Sequence, residues 1–287
     1  LWGKSNYKDG NKDGLWETYD ENGQLDISAY YKDGNEIALP ALSSNSIVSR
    51  NGILYKVNST IGFTGIIVSD ANNQVDMGGI VINGKREGRH EVHFGGSRQV
   101  IQKVNYKNGN KDGFWKKFQY GNQLTSKQHY KDGKQDGLYE QFHTNGQLEK
   151  KGNYKDDKRE GLQEYYYENG QLKSKSNWKD GKIDGLLEDY LINGQLKRKV
   201  NWKDGKRDGL AEYYSENGQL ESKVNYKDGK QDGLYETYYE NGQLKQKGNY
   251  KDGEKHGLWE FYHENGQLRV KTCNKNDEYT DMSYCKK

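Results

Sequence analysis

Asn225 to Gly248 reads NYKDGKQDGLYETYYENGQLKQKG, and nearly the same 24 residues stand before and after it. The Asn–aromatic start falls at Asn105, Asn153, Asn177, Asn201, Asn225 and Asn249, with His129-Tyr130 in the same slot. Asn-Gly-Gln-Leu falls at Asn145, Asn169, Asn193, Asn217, Asn241 and Asn265. Both series keep a step of 24. A fixed period of this length marks a repeat architecture, in which one small unit cannot bury its own face and leans on its neighbours.

Each unit carries two turn signals. Glu-Asn-Gly-Gln, as at Glu240 to Gln243, reads as a tight type I′ hairpin turn, which needs positive φ at both central residues. Lys-Asp-Gly-x-x-Asp-Gly, as at Lys227 to Gly233, reads as a looser turn with two glycines four apart. The segments between them suit strands and are too short for helices. The expectation is an all-β fold: an elongated antiparallel β-meander ribbon built from 24-residue, two-strand repeats.

A two-residue turn at Asn241-Gly242 would set Tyr239 opposite Leu244, Tyr238 opposite Lys245 and Glu236 opposite Lys247. One face would then carry Leu234, Glu236, Tyr238, Lys245, Lys247 and Asn249. The other would carry Tyr235, Thr237, Tyr239, Leu244, Gln246 and Tyr250. Both read as mixed, neither as a dry core face, and a bulge would change the register.

Composition fits a thin aromatic core. Only 31% of the residues are hydrophobic and the mean hydropathy is -1.25, yet 24 Tyr, 6 Trp and 6 Phe recur at repeat positions. Charges of both signs alternate within every unit around a net +3, which argues against a nucleic-acid partner. No stretch approaches a membrane span. No signal peptide is visible, but the chain opens at Leu1 in mid-repeat, so that absence does not argue for the cytoplasm.

Taken in order, residues 1–35 hold N-terminal repeats, residues 36–50 a connector with Pro40, and residues 51–104 a divergent, more apolar block. The regular array runs over 105–271, and 272–287 form a C-terminal cap. Cys273 and Cys285 both lie in that tail. They fit a disulfide closing the tail or two free thiols, since two cysteines give no framework to choose between them.

The search for chemistry gives no catalytic residue, no metal site and no cofactor. His90 and His93 lack companion ligands. The Asp pairs Asp132/Asp136, Asp180/Asp184, Asp204/Asp208 and Asp228/Asp232 are flanked by lysines, which favours turn chemistry over calcium. No nucleophile elbow, phosphate loop or His-Glu-x-x-His is present. The Glu in every repeat faces a lysine, which reads as structural pairing.

Two slots vary while the ladders of Leu, Tyr and Glu hold. One runs Trp16, Trp115, Tyr139, Gln163, Leu187, Ala211, Tyr235, Trp259; the other includes His143, Tyr167, Tyr239 and His263. Either the aromatic members form a recognition surface, or these positions drift because they only need to cover the sheet.

Tyr226 to Leu244 and Tyr250 to Leu268 resemble the MORN-type repeat variant of the bacterial YwqK family. Leu54-Tyr55-Lys56 and Phe63-Thr64-Gly65 resemble the segment that opens such a block. The resemblance covers most of the chain and departs at Glu36 to Arg50 and in the tail. It implies a non-enzymatic protein-binding scaffold, an antitoxin or immunity-type partner of a bacterial toxin or envelope component. The family's export and lipoprotein signals also imply an alternative, an envelope-attached adhesin or glycan-binding ribbon with a lipid anchor. On that basis the cell envelope is favoured over the cytoplasm. Fold does not fix function, so the partner stays open.

Overall fold

A computed structural model describes residues 2–4, 6–19, 25–43, 46–50, 53–68, 75–94 and 99–286. The Asn22-Gly23 of the first repeat lies outside them. The described residues form antiparallel strands throughout the repeats, with a 3-10 turn at Tyr284–Lys286 and no α-helix. The chain divides into two compact units, Leu1–Gln135 and Asp136–Lys287.

In the second unit each repeat is a pair of strands, such as Leu220–Lys227 and Lys230–Tyr238, followed by Leu244–Lys251. The tight turn between the first two is Asp228-Gly229, not Asn-Gly. Lys227 pairs with Lys230, and Asp228 and Gly229 both sit at positive φ, 50° and 91°. That is the type I′ requirement, met by Asp-Gly. Gly233, at φ 101°, makes a bulge in which Asn225 drops out of the pairing between Val224 and Tyr226. So the two glycines of Gly-x-x-x-Gly do different work, one in the turn and one in the bulge.

The Asn-Gly end corrects the expected register. Tyr239 N–H donates to Gln243 O at 2.8 Å and Gly242 N–H to Tyr239 O at 2.9 Å, a wider loop with glycine alone in the left-handed region. Tyr238 pairs with Leu244, Thr237 with Gln246 and Glu236 with Lys247. Lys245 is the extra residue of a bulge, so the expected pairings of Tyr238 and Tyr239 fail, while from Thr237–Gln246 and Glu236–Lys247 onward the register is as expected. Asn241 is chosen for its side chain. Its Oδ1 accepts Gln243 N–H at 2.9 Å, and its Nδ2 donates to Glu264 O of the next repeat at 2.8 Å.

The opposite rim is braced in the same way. Asp228 N–H donates to the Asp208 carboxylate at 3.2 Å, and Asp252 N–H to Asp232 at 3.2 Å. The repeated aspartates thus tie each turn to the one before it. Among the described residues no three His, Cys, Asp or Glu gather as a metal ion would require. Among the described residues no helix is long and apolar enough to cross a membrane.

The first unit contains the one apolar cluster of fully buried side chains among the described residues: Leu54, Phe63, Ile67 and Val81, with Leu42 and Ile47 against it. Residues 36–50 are more than a connector. Ala41–Ser43 runs parallel to Gly65–Val68, and Ile47–Arg50 pairs with Ile53–Lys56. In the tail Glu278–Thr280 adds a short last strand to Leu268–Lys275, and Cys273 and Cys285 are joined by a disulfide across a separation of 12 residues. A short, stapled last strand blunts an open edge.

Candidate binding surface

The slot of Tyr235 lies on the packed face. Across the second unit its neighbours in register are Val200, Ala211, Val224, Tyr235 and Gly248, then Trp259 against Thr272. Bulk alternates along this row. Ala211, fully buried, sits between Val200 and Val224. Trp259, also fully buried, lies over Gly248, where a Cβ would stand 2.3 Å from its ring. Gln163 lies over Gly152 in the same way, and in the first unit His90 lies over Gly79. At Trp259, Gln163 and His90 the bulky side chain is thus matched by a glycine across the strand, as close packing requires.

Lysine and arginine stems cover the aromatic rings of this face. Lys12 Nζ stands 4.0 Å from the Trp16 ring, Lys111 4.2 Å from Trp115 and Lys255 4.6 Å from Trp259. Trp16 meets Tyr31 edge-on and Trp115 meets Tyr130 likewise. Tyr139 donates its hydroxyl to Gln141 at 2.6 Å, and Tyr235 packs against Tyr250 and Trp259. Trp259 is therefore not an exposed anchor: its Nε1–H donates to Asn249 O inside the sheet at 3.2 Å.

The second variable slot braces successive repeats. Tyr167 donates to Tyr190 O and Tyr239 to Tyr262 O, both at 2.8 Å, and His143 Nε2 lies 3.0 Å from Tyr166 O. His263, in the last of these loops, keeps an exposed side chain. The nine candidate anchors thus divide between packing and bracing, and His263 alone stands clear.

Some members of the leucine ladder are exposed instead, although Leu15 is buried and Leu138, Leu186, Leu210 and Leu258 are half-buried. Phe114, Leu162 and Leu234 are exposed by 41%, 43% and 41%. Beside the leucines lie charge rows: Lys247 and Lys271 hold Glu260 at 2.9 and 2.6 Å, and Lys175 holds Glu188 at 2.5 Å. Hydrogen bonds from Lys271 and Lys247 hold the Glu260 carboxyl down at about 2. Tyr238 donates to Glu236 at 2.7 Å; burial first, then that bond, pushes its phenol up to about 12.

Sequence reasoning missed one cluster. Asp189, Arg198 and Tyr213 stand side by side across three strands of the packed face, with the Arg198 guanidinium on the Asp189 carboxylate. The signal was available: at Arg198's position other repeats carry Ser126, Lys150, Ser174, Ser222 and Gln246.

Residues 12–33, 135–156, 159–180, 207–228, 231–252 and 255–276 match the model of the MORN repeat variant. The chain carries MORN repeats. From 135 onward each matched stretch spans one Asn-Gly loop with its two flanking strands and ends on the first residue of the turn that follows. The matched stretches leave out 34–134 and 181–206; the latter includes Asp189 and Arg198, although the period and the strand pairing run through it. No curated protein matches the sequence. Among solved structures, those of TcdB2-TccC3 and TcdB2-TccC3-Cdc42 align at 13% identity with a TM-score of 0.20. The alignments cover 96% of this chain but 19% and 18% of those chains, and likeness at that level carries no argument.

Proposed function

We propose that this repeat scaffold is non-enzymatic and binds another protein through its outward ladder face, as an antitoxin or immunity-type partner of a bacterial protein. The observation that supports the reading is that three members of one ladder, Phe114, Leu162 and Leu234, are exposed, with Glu–Lys pairs on the same face. Apolar positions flanked by charges suit a protein surface, where a few apolar anchors contribute most of the affinity and charges fix the register. The aromatic rings that would otherwise be the obvious anchors are taken up by the sheet itself.

The test is affinity capture from native bacterial lysate with the wild-type chain and with Leu162→Asp/Leu234→Asp. A single stoichiometric partner held by the wild type and lost by the variant is expected. A partner retained unchanged by the variant would overturn the assignment to this face, and failure to recover any reproducible partner would count against the scaffold reading.

A further inference from the structure

The second unit contains a hollow of about 440 Å³ on the packed face, near its Asn-Gly rim. That size lies within the range of about 300–1,000 Å³ that small-ligand sites occupy. Its floor is Ser174, Asp189, Arg198 and Tyr213, and Tyr167 forms part of its wall. The register runs Ser174, Asp189, Arg198, Tyr213, so the small Ser174 lines the hollow where other repeats place Lys150 or Gln246.

The polar groups are arranged for capture. Arg198 commits Nε to the Asp189 carboxylate, while its terminal nitrogens make no hydrogen bond to any described residue. Its side chain keeps 40% of its surface exposed and that of Asp189 20%. Donors and an acceptor are therefore presented together in a fixed geometry, as adjacent sugar hydroxyls require. The Tyr167 ring is held by its hydroxyl on Tyr190 O at 2.8 Å, with Lys173 Nζ 5.5 Å from its centroid, so it is preorganised as a wall beside that ammonium. Lys173 and Lys197 reach the rim, both exposed, with Glu221 the only opposing charge beyond the Arg198–Asp189 pair. That leaves an excess of one positive charge.

We propose that this hollow binds an acidic saccharide, a sugar bearing a carboxylate. Arg198 and Asp189 take its hydroxyls, the Tyr213 and Tyr167 rings cover its C–H face, and Lys173 and Lys197 hold its carboxylate. The site goes beyond the protein-binding reading, since it uses the opposite face of the sheet.

Calorimetric titration of the full chain with tetragalacturonate, cellotetraose and a tetra-aspartate peptide tests it. Tetragalacturonate binds, and cellotetraose binds about tenfold more weakly for want of a charge-assisted hydrogen bond. Arg198→Gln weakens tetragalacturonate binding. Because Arg198→Gln also frees Asp189, Lys173→Gln/Lys197→Gln serves as the second variant; both lysines are exposed, so it weakens binding without moving the thermal unfolding midpoint. Absence of tetragalacturonate binding at millimolar concentration overturns the proposal. So do equal binding of tetra-aspartate, which would reduce the hollow to a charge, and an unchanged affinity in the lysine variant.

Discussion

Replacing Gly248 by alanine tests whether the variable slot is packing. A Cβ at Gly248 would stand 2.3, 2.4 and 2.6 Å from Cδ2, Cε2 and Cγ of Trp259. Carbon atoms pack at about 3.5–4.0 Å, so the indole must move by more than about 1 Å. Trp259 has no room for that: it is fully buried, in ring contact with Tyr235, Tyr250 and Phe261, and bonded through Nε1 to Asn249 O. Overpacking of this kind costs about 1–3 kcal/mol. Trp259→Ala alone leaves a cavity and costs about 3–5 kcal/mol. In that background the new methyl enters empty space, and because Gly248 is not at positive φ, alanine there gains roughly 0.4–1 kcal/mol from the unfolded chain. The two substitutions should therefore couple by about 2 kcal/mol or more, the double variant being more stable than the sum of the singles. Urea unfolding of the four proteins, followed by far-ultraviolet circular dichroism, measures this. Additive effects within about 0.5 kcal/mol would refute the view that bulk at slot 259 is matched to the glycine across the strand.

His90 makes the first unit sensitive to acid. Burial, more than the nearby Arg86 charge, lowers its pKa to about 4, while Nε2–H donates to Ile80 O at 2.7 Å. Between about 6.5 and 4 the unfolded chain binds the extra proton and the folded one does not. Stability is therefore full above 6.5 and falls by about 3 kcal/mol as pH drops to 4. Thermal melts across this range should show that slope in the wild type and a shallower one in His90→Gln; equal slopes would refute it. Asp157 sits at φ 66° where most repeats have glycine, so Asp157→Gly should stabilise by about 1 kcal/mol, read from the urea midpoint. Replacing both Cys273 and Cys285 by serine should cost about 3 kcal/mol of the C-terminal repeat's stability by loop closure, measured as faster amide exchange in Leu268–Lys275. Unchanged exchange there would show that the tail needs no staple.

The period of 24, the strand pairs and the Leu, Tyr and Glu–Lys ladders were all legible in the sequence, because they rest on local turn chemistry and on residue spacing. The pair Glu236–Lys247 was placed correctly even though the turn beside it was misassigned. That is so because the bulge at Lys245 and the longer loop offset one another by the time the chain reaches Lys247. Asp-Gly and Asn-Gly are close to interchangeable as turn formers, and which of them takes the two-residue turn depends on hydrogen bonds reaching into the neighbouring repeats. A single period cannot reveal those.

The meaning of variability was decided only by the fold. From the sequence by itself, slots that change from Trp to Gln to Ala are equally a recognition surface or relaxed drift. In three dimensions some of these residues are seen to meet a matched neighbour: glycine under Trp259 and Gln163, valines around Ala211. Volume complementarity acts across strands that are distant in the chain, so it leaves no mark within one repeat. The sequence of Asn225 to Gly248 determined that the protein is a repeating sheet. Which face is the more closely packed was decided by tertiary contact alone, because both faces carry aromatic and charged residues and only their neighbours distinguish them.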